Sequence, residues 1–333
     1  MTLAGIVETR ALLGDRVHHT PLLTSSTAAR VAAQHAGAEL ADGRLYLKAE
    51  HLQKTGSFKA RAGLARIASL SPREHRRGAI TISAGNAGQA YAWAAREAGV
   101  PMTVVMPAGA VASKVAACLE YGAEVVLHGE HVGESLLRLE EIRTERGLAL
   151  VHPFDDPEVL LGNGSCGLEI LEDLPDLDVL VIPVGGGGLM GGVATAIGEA
   201  RPRTRIYAVE PIGSDALGLA MAAGEPVRLT PHSVADGLNA PYAGRLALEV
   251  ARRYLEGVVA IDDATILSGL RFAVERLKQV LEPAGAAALA AVLAGAIPIR
   301  AGQRVAVILS GGNVSTDRLG SLLADAQPIV APR

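Results

Sequence analysis

Apolar runs rich in β-branched residues recur along the chain, and most are followed by a longer stretch with helical spacing. The runs predict strands over Arg44–Glu50, Ala79–Ser83, Met102–Met106, Glu124–His128, Leu148–His152, Val179–Val184, Ile206–Glu210, Val258–Ile261 and Val305–Ser310. Between them, residues such as Ala87, Ala90, Tyr91, Ala94, Ala95 and Ala98 recur at three- and four-residue steps, which places them on one face of a helix. Continuous apolar strands alternating with helices predict an α/β fold with parallel-rich open sheets covered on both faces. Residues 78–152 hold four closely spaced strand–helix units and are expected to form a compact small domain. No internal repeat or linker interrupts the pattern.

Composition narrows the function. The 333 residues are 49% hydrophobic and 20% charged, with a net charge of −4, which fits a globular chain and excludes wholesale disorder. No basic stripe is present and aromatics are only 3%, so no nucleic-acid partner is expected. The two cysteines, Cys118 and Cys166, lack metal or disulfide-framework spacing. The N-terminal segment carries charges where a signal peptide has an apolar core. The uncharged stretch from Pro283 to Ile299 is short for a membrane span and reads as a buried helix and turn. A cytoplasmic location and no membrane partner are expected.

In parallel sheets ligands sit beyond the carboxyl ends of the strands, so the loops there are informative. After Val179–Val184 come Gly185, Gly186, Gly187, Gly188 and Leu189, opening a helix. Successive glycines let backbone N–H groups converge at a helix N-terminus, which makes a phosphate cradle. A rival reading exists. Gly186, Gly188 and Gly191 fit a dinucleotide fingerprint, and Glu210 ends the next strand where an NAD ribose carboxylate would sit. On these two features both readings stay open, and the other loops bear on the choice. The chain has only five (Lys48, Lys54, Lys59, Lys114 and Lys278), and Lys59 opens a helix after Thr55-Gly56-Ser57-Phe58. A cation is disfavoured there, and a desolvated lysine would be a better amine nucleophile. Phe58 could flank a planar ligand or simply pack in the core. The loop Ser83-Ala84-Gly85-Asn86-Ala87 reads equally as a carboxylate-binding turn or an ordinary serine cap. Ser310, at the end of the last strand, by itself reads first as part of a capped turn.

Together these loops resemble the fold-type II pyridoxal-phosphate (PLP) enzymes, in the threonine dehydratase and serine racemase branch. The resemblance runs over nearly the whole chain. It covers Thr55 to Arg61, Ser83 to Gln89, His152 to Pro157, Gly185 to Leu189, Val209 to Pro211, Asp236-Gly237, Glu282 to Gly285 and Ser310 to Asn313, in order and at matching spacing. It implies a tryptophan synthase β-like fold, with residues 1–77 and 153–333 as the large PLP-binding domain, and a homodimer. It further implies that Lys59 carries PLP and acts as general base, with Phe58 beside the ring. Gly185 to Leu189 would hold the phosphate, Asn86 the phenolic oxygen and Ser310 the pyridine nitrogen. Ser83, Ala84, Gly85, Asn86 and Ala87 would take the carboxylate of an amino-acid substrate. The implied reaction is dehydration and deamination of L-threonine or L-serine to 2-oxobutanoate or pyruvate and ammonia. Serine racemisation, or dehydration of phenylserine or hydroxyaspartate, are the alternatives within the family. A nicotinamide oxidoreductase ranks last, because it leaves Lys59 and the Ser310 loop without a role.

The chain departs from the family pattern in places. Ala87 replaces the usual histidine, and Ala84 stands where serine racemases carry a second serine. Relatives with a divalent-cation site use a glutamate and an acidic residue six positions on. Here those positions are Glu210 and Ala216, so no metal is expected. The chain stops at Arg333, so feedback through a C-terminal effector domain is not expected.

Overall fold

The computed structural model describes residues 1–329. The last four positions of the expected large domain, 330–333, lie outside the described residues. Ten strands form: β1 (Leu22–Ser25), β2 (Leu45–Lys48), β3 (Ala79–Ile82), β4 (Met102–Met106), β5 (Glu124–Leu127), β6 (Ala149–Leu150), β7 (Val179–Pro183), β8 (Arg205–Pro211), β9 (Leu255–Ile261) and β10 (Val305–Ile308). They make two sheets. The six-stranded sheet has the order β1-β2-β10-β7-β8-β9, and the four-stranded sheet has the order β5-β4-β3-β6. Every strand of the smaller sheet lies within residues 78–152.

All pairings are parallel except that of β1 with β2, which is antiparallel. The hydrophobic pattern did not predict β1, a four-residue edge strand with no fully buried position. Conversely, β4, β7 and β10 are buried at every residue, as continuous apolar runs between two helical layers must be. β6 shrinks to two residues because the chain turns away at His152. The uncharged stretch near the end is the Pro283–Leu293 helix, buried along its whole length. Its small side chains allow close packing: a Cβ added at Gly269 on the neighbouring helix would lie 2.5 Å from the Ala290 Cβ. No helix among the described residues is long and apolar enough to cross a membrane.

Candidate active site

The Lys59–Ala68 helix begins without a side-chain cap, because Phe58 at its N-cap is helical and offers no acceptor. What fixes its entry is backbone pairing to the end of β10. The Phe58 N–H donates to the Ser310 carbonyl at 3.1 Å and the Gly312 N–H to the Gly56 carbonyl at 2.9 Å. Thr55 and Gly56 both adopt positive φ, 59° and 73°, to make this turn. A Cβ on Gly56 would stand 2.3 Å from the Asn313 side chain, so glycine is required.

The Lys59 ammonium donates to the Pro153 carbonyl at 2.9 Å and lies 5.1 Å from the Phe58 ring centroid. Burial lowers its pKa to about 8, with Glu282 pulling it partly back. An amine so placed is substantially neutral near pH 8 and can serve as nucleophile or base.

The Pro153 acceptor belongs to a turn whose shape is set by His152. Its Nδ1 accepts the N–H groups of Asp155 at 2.9 Å and Phe154 at 3.3 Å, which leaves Nε2 to face the Tyr242 hydroxyl at 3.1 Å. The Phe154 ring packs where a side chain on Gly186 would go, since a Cβ there would be 2.3 Å from the ring. Gly187 has φ +91° and its Cβ would meet Ala247 at 2.3 Å. Glycine is therefore demanded on the protein side of this loop as well as for any ligand. Among the described residues, the N–H groups of Gly185 through Met190 have no acceptor, while the Gly186 and Gly187 carbonyls are used by Gly244 and Gly191. Six consecutive N–H groups without acceptors at the start of the Gly188–Ala200 helix are a set that could hold an anion.

The Ser83–Ala87 loop also ends in free donors. The N–H groups of Ala84, Asn86 and Ala87 lack acceptors among the described residues, whereas that of Gly85 donates to the Ser83 hydroxyl at 3.2 Å. Asn86 is oriented by two neighbours. Its Nδ2 donates to Glu282 Oε1 at 2.6 Å, and its Oδ1 accepts from Asn313 Nδ2 at 2.9 Å. Asn313 Nδ2 also donates to the Thr55 carbonyl at 2.7 Å, which settles its own orientation. Burial, helped by the Asp236 charge, pushes the Glu282 carboxyl up to about 7. Ser310, two residues past the end of β10, is buried, and its hydroxyl makes only a long 3.4 Å contact to the Ala284 carbonyl. Beside this network opens a cavity of about 590 Å³ lined by Gln89, Lys114, Asp236, Glu282, Asn313 and Arg318 among others.

These elements suit PLP: an activated amine, a phosphate-sized set of unpaired N–H groups, and a weakly engaged hydroxyl at a strand end. Comparison with known proteins agrees. A family model described as pyridoxal-phosphate dependent enzyme matches residues 15–311. The chain belongs to the pyridoxal-phosphate-dependent enzyme family. This PLP enzyme is 38% identical over 324 residues to an L-threonine ammonia-lyase of Thermotoga maritima, covering 97% of this chain and 78% of the relative. It is 35% identical over 319 residues to the catabolic L-threonine dehydratase TdcB of Escherichia coli K12, covering 95% and 94%. Maize serine racemase superposes with a TM-score of 0.88 at 32% identity, covering 97% of both chains.

Sequence reasoning assigned no role to Pro153, Asn313 or Glu282, although all three lie in quoted motifs. A main-chain carbonyl carries no side-chain signal, and the other two act on Asn86 across gaps of 227 and 196 residues. Glu210, the last residue of the dinucleotide reading, is engaged at a helix start. Its carboxylate accepts the N–H groups of Leu217 at 2.7 Å and Gly218 at 2.8 Å in the Ala216–Ala223 helix. Burial raises its pKa to about 7. Among the described residues no cluster of three His, Cys, Asp or Glu side chains could hold a metal.

Proposed function

We propose that this PLP enzyme eliminates the β-hydroxyl of L-threonine and L-serine, releasing 2-oxobutanoate or pyruvate and ammonia. The observation that carries the reading is the Lys59 amine, partly buried, lowered to about 8 and aimed at Pro153 between the glycine loop and the Ser310 strand end. The similarity to threonine ammonia-lyases supports the substrate class.

Gly185 to Leu189 would hold the phosphate, Phe58 would flank the ring, Asn86 would donate to the phenolic oxygen, and Ser310 would meet the pyridine nitrogen. PLP, when bound, supplies the electron sink that makes the α-proton acidic. The free N–H groups of Ala84, Asn86 and Ala87 bind the substrate carboxylate and hold the α-carbon toward Lys59. The neutral Lys59 amine takes the α-proton as general base. The neutral, weakly engaged hydroxyl of Ser310 would leave the ring nitrogen without a counter-charge to hold a proton on it, which would suit loss of the β-hydroxyl.

Capture of PLP by the apo-protein should follow the neutral fraction of Lys59. The expected rate rises about tenfold per pH unit below the pKa and flattens above about 8. Stopped-flow absorbance over a pH series measures it, and a rate independent of pH from 6 to 9 would remove Lys59 as the capturing amine.

Racemisation requires a base on each face of the α-carbon, and Lys59 serves one. The Ala84 side chain has no exchangeable proton, and the neighbouring Ser83 hydroxyl accepts from the Gly85 N–H inside its loop. Elimination is therefore the main expected reaction. The test is a 2-oxo acid assay over a panel of β-hydroxy amino acids, with chiral analysis of the serine left after partial turnover. Threonine and serine should give 2-oxo acid, and the residual serine should remain L. D-serine formed as fast as pyruvate would overturn the assignment.

A further inference from the structure

Two residues after Lys59, and so about 200° around the same helix, Arg61 is fully buried at 0% exposure. Its Nε and Nη2 donate to Glu50, each at 2.8 Å. Its Nη1 and Nη2 donate to Glu169 at 2.6 and 2.7 Å. Ser165 Oγ at 3.1 Å and the His18 carbonyl at 3.2 Å complete the set. Every guanidinium N–H thus has an acceptor. Glu169 is shared with Lys48, also 0% exposed, whose ammonium lies 2.8 Å away. Such a buried network gives little net stability over an apolar core, but it admits one geometry.

Its location gives that geometry a use. Ser165 and Glu169 lie on the Pro157–Asp173 helix, and the turn entering that helix carries the Pro153 carbonyl that receives the Lys59 ammonium. The two helices touch with backbone closeness: a Cβ on Gly162 would lie 2.6 Å from the Arg61 carbonyl. The Lys59 helix is therefore docked on one partner at two points, Lys59 at the entering turn and Arg61 along the body. Having no side-chain cap, it relies on these contacts and the β10 pairing for its placement.

We propose that Arg61 is a positioning residue for Lys59, fixing the rotation and register of its helix through Glu50, Glu169 and Ser165. The proposal rests on reading Lys59 as the reacting amine. A lysine at 61 keeps the charge but cannot bridge both carboxylates in the plane of a guanidinium.

The test compares PLP-loaded wild type, Arg61→Lys and Ser165→Ala for kcat, KM and the kinetic isotope effect of α-deuterated threonine. For Arg61→Lys, kcat should fall about tenfold to a hundredfold, as expected when a reacting group is displaced by up to about an ångström. KM should stay within about threefold, because the substrate carboxylate loop is untouched. The isotope effect should rise, because proton removal becomes rate-limiting. Ser165→Ala, which deletes one neutral acceptor, should show the same pattern with kcat down about threefold, and it decides the question if Arg61→Lys does not fold. Wild-type kcat and isotope effect in a folded, loaded variant would overturn the proposal. A Lys59→Ala control separates the two levels. If it is inert while Arg61→Lys behaves as wild type, only the positioning role fails; if it turns over substrate, the reading of Lys59 fails and the proposal with it.

Discussion

Replacing Lys59 with alanine is expected to lower turnover of L-threonine by at least about a thousandfold, the combined cost of losing a positioned base and an amine nucleophile. The fold should survive. Lys59 makes a single hydrogen bond, to the Pro153 carbonyl, and its helix is held separately by Arg61 and by the Phe58–Ser310 backbone bond. Removal of a partly buried amine also relieves desolvation, so thermal stability should be unchanged or slightly higher. The variant should still bind PLP through the glycine loop, but without a covalent bond, so that dialysis removes the cofactor. Turnover within tenfold of wild type would show that another group does the chemistry.

The second large effect is expected at the glycine loop. Gly187→Asp puts a carboxylate beside the N–H donors of Gly185 to Met190 and a Cβ 2.3 Å from that of Ala247, at φ +91°. Hydrogen bonds to charged groups are worth ~1.5–3 kcal/mol each, so losing two of them weakens PLP binding by about a hundredfold or more. Gly187→Ala separates strain from charge. It should lose part of the affinity through steric displacement of the loop, and Gly187→Asp should lose more through like-charge repulsion. Fluorescence titration of the apo-proteins with PLP measures both. Equal affinity in Gly187→Asp and wild type would place the phosphate elsewhere.

The parts of this molecule that were legible in the sequence are those where a local pattern has a local cause. Apolar runs gave β2 to β5, β7, β8 and β10 to within about two residues, and for β4, β7 and β10 the reason is that strands buried at every residue leave no alternation to misread. β1 escaped because four residues, three half-buried and one exposed, carry too little signal, and its partner lies twenty or more positions on. β6 was overextended because its apolar residues run on into His152. There the ring takes the Phe154 and Asp155 N–H groups and bends the chain to present Pro153 to Lys59. That the glycine run opens a helix was readable, but the protein-side demand on Gly186 and Gly187 was not, since Phe154 and Ala247 approach from distant segments. Glu210 was misleading. At the end of a strand it fits a ribose carboxylate by position, and only the fold reveals that it caps the Ala216–Ala223 helix. Arg61 appeared in the sequence as one more residue of a motif, and its burial between Glu50 and Glu169 is a tertiary fact.

One of five lysines must be the amine that meets the cofactor. Lys48 is buried against Glu169, Lys114 is paired with Asp236, and Lys278 donates to the Glu275 carbonyl. Lys59 is the lysine whose ammonium donates to the Pro153 carbonyl, in the turn whose Phe154 packs on the glycine loop. Borohydride reduction of the PLP-loaded protein, followed by peptide mapping, should place the pyridoxyl group on the peptide containing Lys59 at near-unit stoichiometry. A pyridoxyl group on Lys48, Lys54, Lys114 or Lys278, or on none, would contradict the account.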